Sequence, residues 1–289
     1  MINETDILRK LPELLPSTPR IATGAGDDCA VINMPGGSQL LAAVDQLIEN
    51  IHFLPDTPPE TAGKKLMNRN LSDIAAMGGT PLTALLTVSV NGKTSGWVES
   101  FIKGAADAGM VYDVSICGGD TASLSAPGFA ATLTILGEIP EGKAVLRSGA
   151  SAGELLYITG CIGNSFYSEH HLNFVPRLKE GAFLRDKVSA MLDISDGLLL
   201  DAARLAESSG VTLELDLSKV PLRTGAKTPD AFSDGEDYEL LFTSKEILPQ
   251  ISGLAVITCI GRVIGKQNVP LVDPDGTPII TEKSGYVHR

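Results

Sequence analysis

The chain has 289 residues, 43% of them hydrophobic and 20% charged, which suits one large globular domain or two of ordinary size with a sizeable core. A formal net charge of -12, from 35 acidic against 23 basic side chains, argues against a nucleic-acid partner, because no basic stripe is there to release counterions from phosphates. A small phosphate ligand stays compatible with this charge provided that metal ions supply the positive side.

From about Asp6 to Leu15, Ile7, Leu8, Leu11, Leu14 and Leu15 recur at near-helical spacing, and Pro16 and Pro19 end the pattern. After the Gly24 to Asp28 turn, Cys29 to Met34 and Gln39 to Ile48 read as a hairpin around Pro35-Gly36-Gly37. Pro58-Pro59-Glu60 opens a long helix through Leu66, Leu71, Ile74 and Met77, which Gly78-Gly79 and Pro81 terminate. Leu82 to Val90 is a strand and Ser95 to Ala108 a helix. Val114 to Cys117 is a strand that runs out into Gly118-Gly119-Asp120, and Phe129 to Ile139 is another. The first half is thus α+β with a mixed or antiparallel sheet. Apolar density falls between Pro140 and Gly153, which predicts a boundary separating residues 1–142 from 143–289. Beyond it come a strand at Leu155 to Thr159, the Asp193 to Gly197 turn with a helix through Leu198, Ala202 and Leu205, and strands at Val211 to Leu217, Tyr238 to Thr243 and Val256 to Val263.

The cysteines Cys29, Cys117, Cys161 and Cys259 are far apart without a CxxC pair, which predicts reduced thiols. Met1-Ile2-Asn3-Glu4, with Asp6 close behind, lacks the basic and apolar regions of a signal peptide, and no run has the length to span a membrane. A cytoplasmic protein without a membrane partner is the expectation.

Six short acidic turns punctuate these elements: Gly26-Asp27-Asp28, Val44-Asp45, Ser72-Asp73, Gly119-Asp120-Thr121, Asp193-Ile194-Ser195-Asp196-Gly197 and Asp234-Gly235-Glu236-Asp237. Small neighbours leave room for a ligand, and carboxylates with hydroxyls are the hard oxygen donors that Mg2+ prefers. Each turn also has a plainer reading. Asp27-Asp28 fits an exposed turn, Asp73 a solvated helix face, and Asp193 or Asp196 an N-cap for the helix that follows Gly197. The Gly160-Cys161-Ile162-Gly163-Asn164-Ser165 loop serves equally as an anion cradle or as a tight turn after a strand. His52, between Ile51 and Phe53, fits a core position as well as a ligand. No Walker GxxxxGK[ST] motif and no HRD with DFG occur.

Taken in order, Gly26 to Val31, Val44 to Phe53, Asn70 to Gly78, Gly118 to Thr121, Arg147-Ser148-Gly149-Ala150, Asp193 to Gly197 and Gly235 to Leu240 resemble the thiamine-monophosphate kinase family of the aminoimidazole-ribonucleotide-synthetase-like superfamily. The similarity covers nearly the whole chain, down to the terminal Gly285-Tyr286-Val287-His288. It implies an α+β, two-domain fold: an N-terminal domain (1–142) that binds ATP and Mg2+ and whose sheet pairs with a second subunit in a homodimer, and a C-terminal α/β domain (143–289) that closes a cleft. It further implies transfer of the ATP γ-phosphoryl group directly to thiamine monophosphate with several Mg2+ ions, and no residue is assigned as a general base.

Position by position, the resemblance assigns Asp27, Asp45, Asp73, Asp120, Asp193 and Asp196 to metals, with Asp28 beside them. Gly119, Asp120, Arg147 and Ser195 would meet ATP, and His52, Asp237 and Tyr286 the thiamine phosphate. Three features depart from the family. Ala43-Val44 stands where hydroxyl residues precede the aspartate matching Asp45, Asn50 replaces a glycine, and the stretch between Gly163 and Pro176-Arg177 is short, with Asn173 where an arginine is common. These departures keep a weakly active, ligand-binding paralogue as an alternative. Selenophosphate synthesis and hydrogenase maturation are disfavoured, because the chain lacks a reactive cysteine in a glycine-rich N-terminal segment and ends Val287-His288-Arg289.

Overall fold

The computed structural model describes residues 10–11 and 14–280. The expected opening helix therefore falls largely outside the described residues, as does Tyr286. The first half holds a six-stranded sheet of β1 (Ile21–Thr23), β2 (Ala30–Asn33), β3 (Ser38–Ile48), β4 (Thr80–Asn91), β5 (Ser115–Ser123) and β6 (Gly128–Pro140), ordered β1-β2-β3-β6-β4-β5. Only the β4–β5 pair is parallel, so the sheet is mixed. The period of two in β6 sends Phe129, Ala131, Leu133, Ile135 and Ile139 to one face. Against that face pack α1 (Pro59–Ala76) and α2 (Ser95–Met110), through Leu66, Leu71 and Ile74 of the former and Phe101 and Ala105 of the latter. The two helices approach closely because they meet at glycines: a Cβ on Gly63 would lie 2.0 Å from the Phe101 carbonyl oxygen, and one on Gly104 2.1 Å from that of Glu60. The opposite face of the sheet stays open. Val44, Thr134 and Leu85 stand side by side there in register, with Val44 63% and Leu85 41% exposed.

Two expected turns are instead strand: Val44-Asp45 lies inside β3, paired with Thr134 and Leu133 of β6, and the other is the glycine stretch of β5. Gly118-Gly119-Asp120-Thr121 lies inside β5, paired in parallel with Leu85 to Val88 of β4. A Cβ on Gly119 would sit 1.7 Å from the Leu86 carbonyl oxygen, so this glycine permits strand contact rather than a chain reversal.

In the second half β7 (Leu155–Thr159), β8 (Ala190–Asp193), β9 (Thr212–Leu215), β10 (Leu240–Ser244), β11 (Ile257–Ile264) and β12 (Leu271–Val272) form a sheet ordered β12-β9-β11-β7-β10-β8. β7, β10 and the edge strand β8 are buried nearly throughout because both faces of this part of the sheet are covered. On one side α5 (Leu198–Ser209) lays Leu198, Ala202, Leu205 and Ala206 on Leu156, Ile158 and Leu192. On the other, Tyr157, Met191, Leu240 and Phe242 pack against Ala76 and Leu184, the ends of α1 and of a short helix α4 (Leu178–Leu184) that follows α3 (His170–Asn173). This second contact fixes the site, since it brings the C-terminal end of β8 against the last turns of α1. No helix of the described residues is long and apolar enough to cross a membrane, and all four cysteines are free thiols.

Candidate functional site

Three of the six acidic turns converge where the halves meet. Asp28 follows the β1 turn, Asp73 sits one turn from the end of α1, and Asp193 is the last residue of β8. One carboxylate oxygen from each lies within 4.8 Å of the other two. Ser72 Oγ donates to Asp193 Oδ2 at 2.6 Å and so ties the two halves together at this point. Burial, reinforced by Asp45, Asp193 and Asp28, pushes the Asp73 carboxyl well above the ordinary carboxylate range, and burial with Asp28 does the same to Asp193. At an effective dielectric of about 20, two unit charges about 5 Å apart repel by about 3 kcal/mol. Converging buried carboxylates of this kind suit a hard divalent cation, and Asp28 Oδ2, buried without a hydrogen-bond partner among the described residues, offers a free donor atom for one.

The neighbouring Asp27 is differently employed. Its two carboxylate oxygens accept the Arg147 backbone N–H at 3.3 and 3.1 Å, and burial with Asp28 alongside raises it to about 7. Arg147 donates from Nε and NH2 to Asp28 Oδ1 at 3.2 and 2.5 Å, so its guanidinium lies at the edge of the carboxylate cluster. The resemblance gave Asp27 to a metal and placed Asp28 only beside it. The structure puts Asp28 in the cluster and gives Asp27 to the backbone of the Arg147 turn.

The Asp193-Ile194-Ser195-Asp196-Gly197 turn is capped from within α5. Asp201 Oδ2 accepts the backbone N–H groups of Ser195 and Asp196 at 3.1 and 3.0 Å, while Arg204 donates to both Asp196 and Asp201. Neither Asp193 nor Asp196 serves as the N-cap, a position held by Gly197. Asp193 and Asp196 both line the cleft, Asp193 while accepting from Ser72 and Asp196 while paired with Arg204.

That cleft, about 230 Å³, is lined by Asp45, Asp73, Asp193, Ser195 and Asp196 together with Ile51, His52, Phe166, Tyr167 and Glu236. His52 Nδ1 accepts the Ile48 N–H at 2.9 Å, which makes Nε2 the protonated nitrogen of a neutral ring. Phe166 stacks on His171 at 5.1 Å and meets Tyr167 edge-on at 5.5 Å, and Tyr167 is 87% exposed.

In the Glu236-Asp237 pair the two carboxylates point apart. Glu236 reaches the cleft, where Lys65 Nζ approaches its two oxygens at 2.7 and 2.8 Å and His171 Nδ1 lies 3.2 Å away. Burial works to raise Glu236, but the His171 hydrogen bond and the Lys65 charge overcome it and hold the carboxyl down at about 2. Burial pushes Lys65 down to about 8 against the pull of Glu236. At pH 7, above the Glu236 range and below that of Lys65, both groups are charged, the pairing favouring the carboxylate while burial opposes the ammonium. The pair therefore adds little net stability. What it secures is a Glu236 that stays ionised at the cleft wall.

Asp237 turns inward, 1% exposed, and accepts from Arg223 at 2.8 Å, Ser165 Oγ at 2.6 Å and Gly163 N–H at 2.9 Å. The Gly160 to Ser165 loop thus spends its Gly163 amide on Asp237, and the Asn164 amide points to Asp234 Oδ2 at 3.4 Å. Of the remaining expected residues, Gly119 and Asp120 lie in β5, exposed and outside the lining of this cleft.

Lys65, Arg69, His171, Phe166 and Tyr167 line or support the cleft without having been anticipated, and Glu236, expected only as part of an acidic turn, lines it too. Lys65, Arg69 and Asp73 follow one another at i, i+4 and i+8, which puts them on one face of α1, and that spacing was available as a signal. Nothing local marks the aromatic pair, which is placed by the irregular segment before α3.

Comparison with known proteins accords with this geometry. The AIR synthase related protein family matches through its N-terminal domain model over residues 26–139 and its C-terminal domain model over residues 148–268. The chain is 33% identical to the thiamine-monophosphate kinase of Salmonella typhimurium, covering 93% of this chain and 92% of that protein. It is 32% identical to the Bacillus subtilis thiamine-monophosphate kinase, covering 99% of each. The solved structure of AaThiL complexed with AMPPCP and TMP superposes with a TM-score of 0.85 at 28% identity, covering 99% of this chain and 97% of that one. Two sheets joined at an acidic cleft, matched end to end by these relatives, identify the chain as a member of the thiamine-monophosphate kinase family.

Proposed function

We propose that this protein transfers the γ-phosphoryl group of ATP to thiamine monophosphate, giving thiamine diphosphate and ADP, in a Mg2+-dependent reaction. The convergence of Asp28, Asp73 and Asp193 across the junction of the two halves is the observation that carries the metal requirement. Magnesium, when bound, supplies charge neutralisation and in-line positioning for phosphoryl transfer, which needs little covalent chemistry from the protein. Asp28, Asp73 and Asp193 would hold the ions, with Asp196 facing the same space and Asp120 contributing from β5. Arg147, already oriented by Asp28, would meet the nucleotide along with Gly119 and Ser195. Residues 1–142 would act as the ATP-binding half and 143–289 as the half that closes over substrate. The open sheet face carrying Val44 and Leu85 supports pairing with a second copy, and the four free thiols suit the cytoplasm.

On the acceptor side, thiamine carries a thiazolium cation. The aromatic rings of Phe166 and Tyr167 and the ionised Glu236, all lining the cleft, suit that cation, while His52 would face its phosphate. Replacing Tyr167 by alanine should raise KM for thiamine monophosphate about fivefold, the loss of about 1 kcal/mol of cation–π attraction, with kcat unchanged. Steady-state kinetics at varied thiamine monophosphate and saturating ATP read this, and an unaltered KM would remove Tyr167 from the binding wall.

Incubation of the protein with Mg-ATP and thiamine monophosphate should yield thiamine diphosphate and ADP in equal amounts. Binding of both ligands without product would instead identify a ligand-binding paralogue.

A further inference from the structure

Six carboxylates line the cleft, those of Asp45, Asp73, Asp193, Asp196, Asp234 and Glu236, and Arg69 is the one Lys or Arg among the lining residues. Its position is built. Arg69 leaves α1 one turn before Asp73, and its side chain is only 11% exposed. NH2 donates to Asp45 Oδ1 at 3.2 Å and NH1 to the Gln46 carbonyl oxygen at 3.2 Å, so the guanidinium fork spans the end of β3. A carboxylate and an adjacent strand carbonyl are also the hard oxygens that a divalent ion would take at this place. Beside them Ala43 and Val44 supply no hydroxyl to complete a coordination sphere. A guanidinium needs no such completion, since it is permanently charged and two of its planar donors, NH1 and NH2, already meet those acceptors.

We propose that the Arg69 guanidinium is a fixed cation that stands at Asp45 in place of a divalent ion, making Asp45 the partner of Arg69 and not a metal ligand. The inference rests on the metal-dependent reading given above. The phosphate groups in this cleft are then met by one ion fewer and by one guanidinium, which neutralises Asp45 without competing for the Asp28, Asp73 and Asp193 cluster.

Counting Mn2+ bound per chain, by calorimetry and by electron paramagnetic resonance with saturating AMPPCP, tests this on the full-length protein. Asp45→Asn should leave the count unchanged, Arg69→Ala should raise it by about one, and the double variant should return it to the wild-type value. Arg69→Lys, which keeps the charge, should bind the wild-type number. Melting curves verify that each variant is folded, and should Arg69→Ala fail to fold, the Asp45→Asn count decides alone. Loss of an ion in Asp45→Asn, or no gain in a folded Arg69→Ala, overturns the inference and leaves the metal-dependent reading standing. A wild-type protein that binds no Mn2+ with the nucleotide overturns both.

Discussion

Asp193→Asn should lower kcat on the order of 10³-fold or more while the folded state survives. Asparagine keeps the shape of the side chain and an oxygen that can accept from Ser72 Oγ, so the 2.6 Å tie between the halves has a replacement. What disappears is a buried negative charge that Asp28 and Asp73 oppose. Without cations the variant should therefore melt at the same temperature as wild type or higher. Added Mg2+ should raise the wild-type melting temperature and leave that of the variant nearly unmoved, because ligand binding stabilises only a state that binds it. Calorimetric melts with and without Mg2+, alongside turnover, separate a lost metal site from a damaged fold. Unchanged turnover would place the reaction elsewhere.

Asp237→Ala should be a stability lesion rather than a substrate-binding one, despite the adjacency of Asp237 to Glu236. Its carboxylate is wholly buried and joined to Arg223, Ser165 and the Gly163 amide. Removing it strands Arg223, whose side chain is 12% exposed, as an unpaired cation. Breaking a buried pair from one side costs about 3–5 kcal/mol. Urea unfolding should show a midpoint lowered accordingly with the slope unchanged, and KM for thiamine monophosphate should stay near wild type at temperatures where the variant is folded. Glu236→Gln, by contrast, should register in that KM, since Glu236 is the member of the pair that reaches the cleft.

These paired expectations mark the limit of what the sequence reveals. Strands with a strict period of two, such as β6, and the helix opened by Pro58-Pro59 were legible because one buried face imposes the period and proline sets the start. The clustering of acidic turns was legible too, since aspartates beside small residues are poor core material. Adjacent residues were the blind spot. Asp27 and Asp28, or Glu236 and Asp237, differ only in which way the backbone turns them, and that is fixed by partners more than a hundred residues away in the first case (Arg147) and by Lys65 and Arg223 in the second. Gly118-Gly119 carried a different ambiguity. Glycine serves a turn and a close strand contact equally, and the Leu86 carbonyl that decides between them lies on another strand. Arg69 shows the converse: a cation on a helix reads as surface until the strand end carrying Asp45 is placed beside it.

Anomalous diffraction from crystals grown with Mn2+ and AMPPCP tests the centre most directly. The expected result is anomalous density between Asp28, Asp73 and Asp193, with carboxylate oxygens at about 2.0–2.3 Å from the peak. Ordered nucleotide in a crystal whose three carboxylates hold no anomalous scatterer would contradict it.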